Sequence, residues 1–591
     1  MGDTSRRVIV IGIDGADWSV IQLLMAQGGL PHLASLMREG VSADLTSTIP
    51  SLTPAAFASF MTGVSPDTHG IFDFVVDVHQ NYDPTPINNY TRIPVKTLWD
   101  LLTEHRNRII LSAVPLTYPP PEVNGIVVAY TTPVGLPAEI STHPPELKEE
   151  LLKRLDFREE LIRHGLDRFG NVPDERFFDG EAAKHLYVLD KLRQGILYLI
   201  KHYDWDFFMV HFAATDQVQH YFWKFMDSTH IGYNPKLAPR YRHIIIDVYH
   251  KVDSIIGELM TAIGRDVQVV IMSDHGSSPV HRLFHMNRWL EQHSFLKRHP
   301  RTWTLTMRRS TLGRGLEKFG LGKLGSILPG WIRNCRIPLV RRSVKPLDQQ
   351  IDWQHTKAYA VEVGINVNLQ GREPRGIVKP GLESQTLVDD LVEQLHGLQD
   401  PMTGKKVVKR VVRKEELYHG PYTGKSPDLF LYFEEDFFCW PSPGLFSSGT
   451  IGAWIPVFHD FFSWPSTGRN RETVFKDVDH HDLLSAHHVS MLKALKGILV
   501  MKGPSIHAGA QLKEPRIIDL APTILYLLGL PIPTYMQGRV LEEAIAPQVL
   551  ATFPPQRISD DGTTPRKEQF SYSPEEEDSI KDKLRRLGYL G

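Results

Sequence analysis

Apolar residues in the first 280 positions fall into short unbroken runs that alternate with longer stretches of helical period. Residues 8–13, VIVIGI, are nearly all β-branched, the composition of a strand buried on both faces. Similar runs occupy 109–113, 126–130, 207–212 and 267–272. Between them, 18–27 and 30–39 read as helices stopped by Gly28, Gly29 and Gly40. Residues 182–202 and 241–263 read as long amphipathic helices. Strands alternating with helices predict an α/β fold with a doubly wound, mostly parallel sheet.

The alternation stops near residue 290, and the pattern then divides the 591 residues further. Residues 1–290 read as the first part of a core and 291–350 as a basic insertion. A smaller mixed α/β cap follows at 351–435, with strands at 358–363, 365–369 and 429–433. Residues 436–480, rich in Phe, Trp, Pro, Gly and Ser, read as an irregular insertion. The core pattern returns at 481–547, with a helix at 517–528, and 548–591 reads as a flexible linker ending in a charged helix at 574–587.

Composition narrows the class. At 42% hydrophobic, 23% charged and net charge −2, the chain is that of an ordinary globular protein, and no nucleic-acid polymer is expected as partner. Its two cysteines, Cys335 and Cys439, form no close pair, which fits a reducing, cytoplasmic setting. The apolar run before Asp14 is too short for a signal peptide or a membrane span. Residues 297–345 carry thirteen Lys and Arg against one acid, Glu317, interleaved with Trp303, Leu321 and Trp331. This stretch reads either as a solvated lid or as a contact with an anionic membrane or acidic substrate tail.

Chemistry-bearing residues cluster where the predicted strands end. Asp14-Gly15 follows the first strand, Asp216 and His220 follow 207–212, and Ser273-Asp274-His275-Gly276 follows 267–272. In an open parallel sheet the carboxyl ends of the strands face one crevice, where ligands bind. Aspartate and histidine converging there suit a divalent metal pair, zinc especially. Each residue also has a plainer reading. Asp14 would cap a helix starting near Trp18, and the i, i+4 pair Asp216 and His220 would be a solvated face. Thr53 would be a helix N-cap with Pro54 in the first turn. A hydroxyl at a helix N-terminus also meets free N–H groups and the positive end of the dipole, which favour phosphate and alkoxide. That makes Thr53 the candidate nucleophile. A late histidine is needed too, and spacing alone does not choose among His480, His481, His487, His488 and His507.

Residues 53–63, TPAAFASFMTG, with Pro66 and His69-Gly70-Ile71, Ile13-Asp14-Gly15 and Ser273-Asp274-His275-Gly276, resemble the alkaline phosphatase superfamily. The nearest branch is similar to the type I phosphodiesterase/nucleotide pyrophosphatase group, including its predicted phosphohydrolase or phosphomutase members. The likeness covers 6–290 and 481–541, with subgroup-like stretches at 353–359, 368–374 and 585–590. It implies an alkaline phosphatase-type sheet and two divalent ions, zinc or alternatively manganese. One site would use Asp14, Thr53, Asp274 and His275, and the other Asp216, His220 and a late histidine. The run 484–488, LSAHH, favours His488 as that ligand. The implied reaction is attack by Thr53 on phosphorus and hydrolysis of a phosphothreonine. The substrate would be a small-molecule or lipid-linked phosphate ester, preferably a diester. Alternatives are a phosphomonoesterase or phosphomutase, or a non-catalytic binding protein. The family's pyrophosphatases place asparagine three residues after the nucleophile, where this chain has Ala56, so nucleotide diesters are disfavoured. Sulfatases need Cys or Ser followed by Pro and Arg, which this chain lacks, and cofactor-independent phosphoglycerate mutase uses serine.

Overall fold

A computed structural model of the chain describes residues 6–76, 82, 87–130, 140–155, 175–299, 351–361, 364–401, 403–435, 437–440, 475–477, 486–487, 493–564 and 569–587. The central strands are β1 (Arg7–Ile13), β2 (Val41–Thr46), β3 (Ile109–Ser112), β4 (Gly125–Tyr130), β5 (Ile140–His143), β6 (Phe207–Phe212) and β7 (Val267–Met272). A late strand, Lys496–Lys502, enters between β2 and β7, giving the order β2, Lys496–Lys502, β7, β1, β6, β3, β4, β5. Pairing is parallel from β7 through β4, while Lys496–Lys502 runs antiparallel to both neighbours and β5 antiparallel to β4. The sheet is therefore mostly parallel.

Unbroken apolar strands are explained by what lies on each face. Ile9, Ile11 and Ile13 of β1 join one hydrophobic core, and Val8 and Val10 join a second on the opposite face. The first core takes its helical side chains from α1 (Trp18–Ala26), α2 (Pro31–Glu39), Glu175–His202, Ala214–Met226 and Ile244–Ile263. The second uses α3 (Thr53–Thr62), Leu98–Glu104 and Leu520–Leu527. With each strand wetted on neither face, period-two alternation disappears, as the sequence shows. Among the described residues no single helix is long and apolar enough to cross a membrane.

The cap is a four-stranded antiparallel sheet, in the order Ala358–Val361, Gly364–Val367, Leu429–Phe433, Val408–Arg413. Helix Leu382–His396 contributes Leu391 and Leu395 to the cap's core. A buried pair of Arg282 Nη2 and Asp400 Oδ1, 2.8 Å apart, ties cap to core. The flanks of the expected insertion at 436–480 are strands, Phe437–Trp440 and Phe475–Asp477, on either side of Arg282–His285.

The segment after Pro547 corrects an expectation. Rather than running as a free linker, it begins with a short helix, Pro547–Thr552, and Arg557–Ile558 pairs in parallel with Ile532–Pro533. Asp560 accepts from Lys96 at 3.0 Å, and Phe570 and Tyr572 pack against Tyr118. Its polar, Pro-rich composition comes from lying on the surface, while a few aromatic and charged anchors hold it there. The basic stretch at 300–345 lies outside the described residues.

Candidate active site

Register brings the strand ends level. Ile13 pairs with Phe212 and Gly12 with Met272, so the residues that follow β1, β6 and β7 leave the sheet together. Asp14, Asp216, His220, Asp274, His275 and Thr53 are all buried. Asp14, Asp216 and His275 each offer a ligand atom within 4.8 Å of the other two. Asp274 joins through its Oδ2, 3.3 Å from His275 Nε2, which is also 3.5 Å from Asp14 Oδ1.

The plainer readings of these residues give way to specific ones. The helix starting at Trp18 is capped by Asp17, which accepts from the Ser19 N–H at 2.8 Å, so Asp14 is not used as a cap. Thr53 is likewise not the N-cap of α3, because Leu52 holds that position in extended conformation and accepts from the Ala56 N–H. Thr53 is the first residue of the helix and Pro54 the second. Its hydroxyl is left free of capping and lies 3.4 Å from His275 Nε2. The first turn of α3 adds the positive end of the helix dipole beside that hydroxyl.

One hydrogen bond sets the tautomer of His275. His275 Nδ1 lies 2.8 Å from the Gly276 carbonyl, an acceptor only, so the ring proton sits on Nδ1. Nε2 then turns a lone pair toward the oxygens of Asp14 and Asp274. A lone pair facing carboxylate oxygens is repulsive unless a cation lies between them. The carboxylates point the same way, since Asp14 Oδ1, Asp216 Oδ1 and Asp274 Oδ2 are buried with no hydrogen-bond partner among the described residues. Burial first, and then the charges of Asp274 and Asp216, push the Asp14 carboxyl well above its ordinary range. Burial would also raise Asp216, but His220, by charge and hydrogen bond, holds it below that range. Orphaned buried oxygens on three acids, with imidazole nitrogens among them, fit a cationic centre.

Beside this group, His220 Nε2 is 3.1 Å from Asp216 Oδ2 on the first turns of helix Ala214–Met226. The strand Ala486–His487 pairs with Ser278–Pro279, just past His275, and lies against that same helix. His488, His480 and His481 lie outside the described residues, and His507 is exposed. The first turns of the helix also clamp the end of β1. Thr215 Oγ1 donates to the Asp14 carbonyl at 2.6 Å, and Gln219 Nε2 to that of Gly15 at 2.8 Å. The Ser47 hydroxyl donates to the Asp274 carbonyl, which ties the loop before Thr53 to the end of β7.

One participant escaped the sequence reading. His211 was absorbed into the strand run 207–212, yet it is buried with Nε2 3.3 Å from Asp14 Oδ2. Burial, partly offset by Asp274 and Asp216, pushes it down to about 4. Gly12 makes room for it, since a Cβ there would sit 2.9 Å from His211 Cδ2. The available signal was a histidine one residue from the end of an otherwise apolar strand.

The family model for type I phosphodiesterase/nucleotide pyrophosphatase matches residues 8–442. The chain belongs to this family. As a type I phosphodiesterase/nucleotide pyrophosphatase family member it is a hydrolase of phosphoric ester bonds. No curated protein matches the chain. Among solved structures it is similar to phosphonoacetate hydrolase from Sinorhizobium meliloti 1021, in complex with phosphonoformate, at 12% identity and a TM-score of 0.49. That likeness covers 89% of this chain and 95% of that one. Inactive murine ectonucleotide pyrophosphatase/phosphodiesterase 5 in complex with AMP gives 12% identity and a TM-score of 0.49, over 92% of this chain and 100% of that one. The wild-type alkaline phosphatase PafA gives 12% identity and a TM-score of 0.47, with the same shares of 92% and 100%.

Proposed function

We propose that the chain hydrolyses a phosphodiester with Thr53 as nucleophile and two divalent ions. Asp14, Asp274 and His275, with the Thr53 hydroxyl, would hold one ion, and Asp216, His220 and His488 the other. The observation that carries the reading is the set of three unpartnered buried carboxylate oxygens beside a threonine hydroxyl that caps nothing. Carboxylate with imidazole favours zinc, and manganese is the alternative. Bound ions would lower the Thr53 hydroxyl pKa and neutralise charge on the phosphate oxygens.

Thr53 Oγ1 attacks phosphorus as its own proton is lost, and the bond to the leaving oxygen breaks. The leaving oxygen takes up a proton and departs as an alcohol. The first-turn N–H groups of α3 orient the phosphoryl oxygens. Water then attacks the phosphothreonine, releasing a phosphomonoester and restoring the threonine hydroxyl. His275, fixed by its Nδ1 bond to the Gly276 carbonyl, keeps Nε2 aimed into the centre throughout.

Metal analysis of the purified protein, with turnover of bis-p-nitrophenyl phosphate against p-nitrophenyl phosphate, tests the reading. Faster diester turnover by metal-loaded protein supports it. Faster monoester turnover would instead make the chain a phosphomonoesterase, and metal-independent turnover would end the metal reading. The substrate is a small-molecule or lipid-linked ester, and the basic stretch 297–345 would add a peripheral contact with anionic membrane. Flotation with acidic vesicles at low and high salt tests that contact, and no binding at low salt would refute it.

A further inference from the structure

At the seam between core and cap lies a small cleft, open to solvent. Its walls include Gly70 to Asp73 and Arg92 from the core, Val361, Asn366 and Lys425 from the cap, and Gln569 from the C-terminal strap. One loop runs from the metal-type centre to a residue packed on the cleft wall. Ser47 at the start of that loop bonds the Asp274 carbonyl, and Thr53 stands at its end. Between them, the Ile49 carbonyl accepts from the Tyr418 hydroxyl, and the Tyr418 ring packs on Phe72 of the cleft wall, 5.5 Å between centroids. Tyr422, next to Gly70, carries the Lys425 ammonium 4.9 Å above its ring.

Two polar groups in this wall have nothing to bond. Asn366 is fully buried, and neither its Nδ2 nor its Oδ1 has a hydrogen-bond partner among the described residues. Tyr359, paired with it across the strands, is close without hydrogen-bonding geometry. Arg92 Nε is buried and equally unmet. Buried amide and guanidinium groups are rarely left so, and each marks a place where a ligand atom belongs. Asp73 closes the other side, where burial, partly offset by the Phe74 and Val75 N–H groups, pushes its carboxyl up to about 7. Such a carboxyl can accept from a hydroxyl or donate to one near neutral pH.

Resting on the phosphodiesterase reading, we propose that this cleft holds the leaving group, and that it selects a hydroxylated leaving group bearing a second anion. Arg92 and Lys425 would meet the anion, and Asn366 and Asp73 the hydroxyls. An acyl or plain aryl group would press hydrocarbon against the unpaired amide and guanidinium, which disfavours it.

Calorimetric titration of the metal-loaded full chain tests this. The probes are glycerol 1,3-bisphosphate, the longer fructose 1,6-bisphosphate, and methyl phosphate as the reference that lacks the second anion. At least one bisphosphate should bind about tenfold tighter than methyl phosphate or better. That ratio should fall to about twofold or less in Asn366→Leu and in Lys425→Ala, the second being an exposed site that leaves packing alone. The proposal fails if neither bisphosphate outbinds methyl phosphate, or if the ratio survives in both variants. Turnover of bis-p-nitrophenyl phosphate is read separately. A binding preference without turnover would overturn the reaction and keep the cleft, and turnover without preference would do the reverse.

Discussion

A Cβ placed on Gly15 would lie 2.8 Å from Asp216 Oδ1, so the backbone after β1 and the carboxylate after β6 share space that only glycine leaves open. Gly15 also sits at φ +59°, where other residues are strained. Gly15→Ala should therefore displace Asp216 as well as strain the turn. Gly264→Ala is the control, with φ +79° and no atom within 4 Å of the added Cβ. Both substitutions should cost stability from a backbone that side chains strain, Gly264→Ala the more because its ψ of −166° lies in a region open almost only to glycine. Only Gly15→Ala should also lose metal and turnover, read by metal analysis and kcat on the same preparations. Equal metal content in the two variants would contradict a centre built against Gly15.

Thr53→Ala should abolish turnover, by roughly 10³-fold or more, with the fold and metal retained. Because Leu52 and not Thr53 occupies the cap, no capping bond is lost, and alanine suits a first turn at least as well. The melting temperature should stay within a few degrees. Near-normal kcat in a clean preparation would remove Thr53 from the mechanism. Thr53→Ser, which keeps the hydroxyl, should retain a measurable share of activity.

How much of this was legible in the sequence depends on distance along the chain. Strands 207–212, 267–272 and 429–433 appear where the apolar runs put them, since burial on both faces leaves an unambiguous composition. Asp14 and Asp274 stood out because a charge just past such a run needs a reason, and Asp216 through its i, i+4 spacing with His220. Thr53 was placed one residue out at the helix start, because capping depends on backbone angles that Thr-Pro does not encode alone. His211 was hidden for the opposite reason, since a single polar residue inside a strand looks like noise until its neighbours on other strands are known. The anchored tail after Pro547 was misjudged because its contacts, such as Asp560 with Lys96, join residues hundreds of positions apart.

The two halves of the centre should empty separately. Wild type is expected to hold about two ions per chain, and replacement of Asp274 or His275 by alanine about one. Replacement of Asp216 or His220 should likewise leave about one, from the other half. His488→Ala should lower the count and His487→Ala should not. Elemental analysis after dialysis reads all of these, and a fully active metal-free protein would overturn the binuclear reading.

The cap should lose stability in acid. Asp428 accepts from Arg372 Nη1 at 2.8 Å and Nη2 at 2.6 Å, and from Lys414 Nζ at 2.6 Å. Burial alone would raise its carboxyl, but Arg372 and Lys414 outweigh it and hold the group far below the usual carboxylate range. Arg372 is raised in turn by the hydrogen bonds and charges of Asp428 and Glu373, which outweigh its own desolvation. A folded pKa below the unfolded one, near 3.9 for aspartate, means that the unfolded chain binds the proton first. The stabilisation is then complete at neutral pH and is lost as the pH falls below about 4 toward the folded value. Asp428→Asn removes the charge and leaves two partly buried cations facing an amide, with Glu373 still beside Arg372, a loss of roughly 1–3 kcal/mol at pH 7. Thermal unfolding at a series of pH values should show the variant well below wild type at pH 7, with the gap narrowing toward pH 3. A gap that stays constant over that range would mean that the ion cluster does not set the cap's stability.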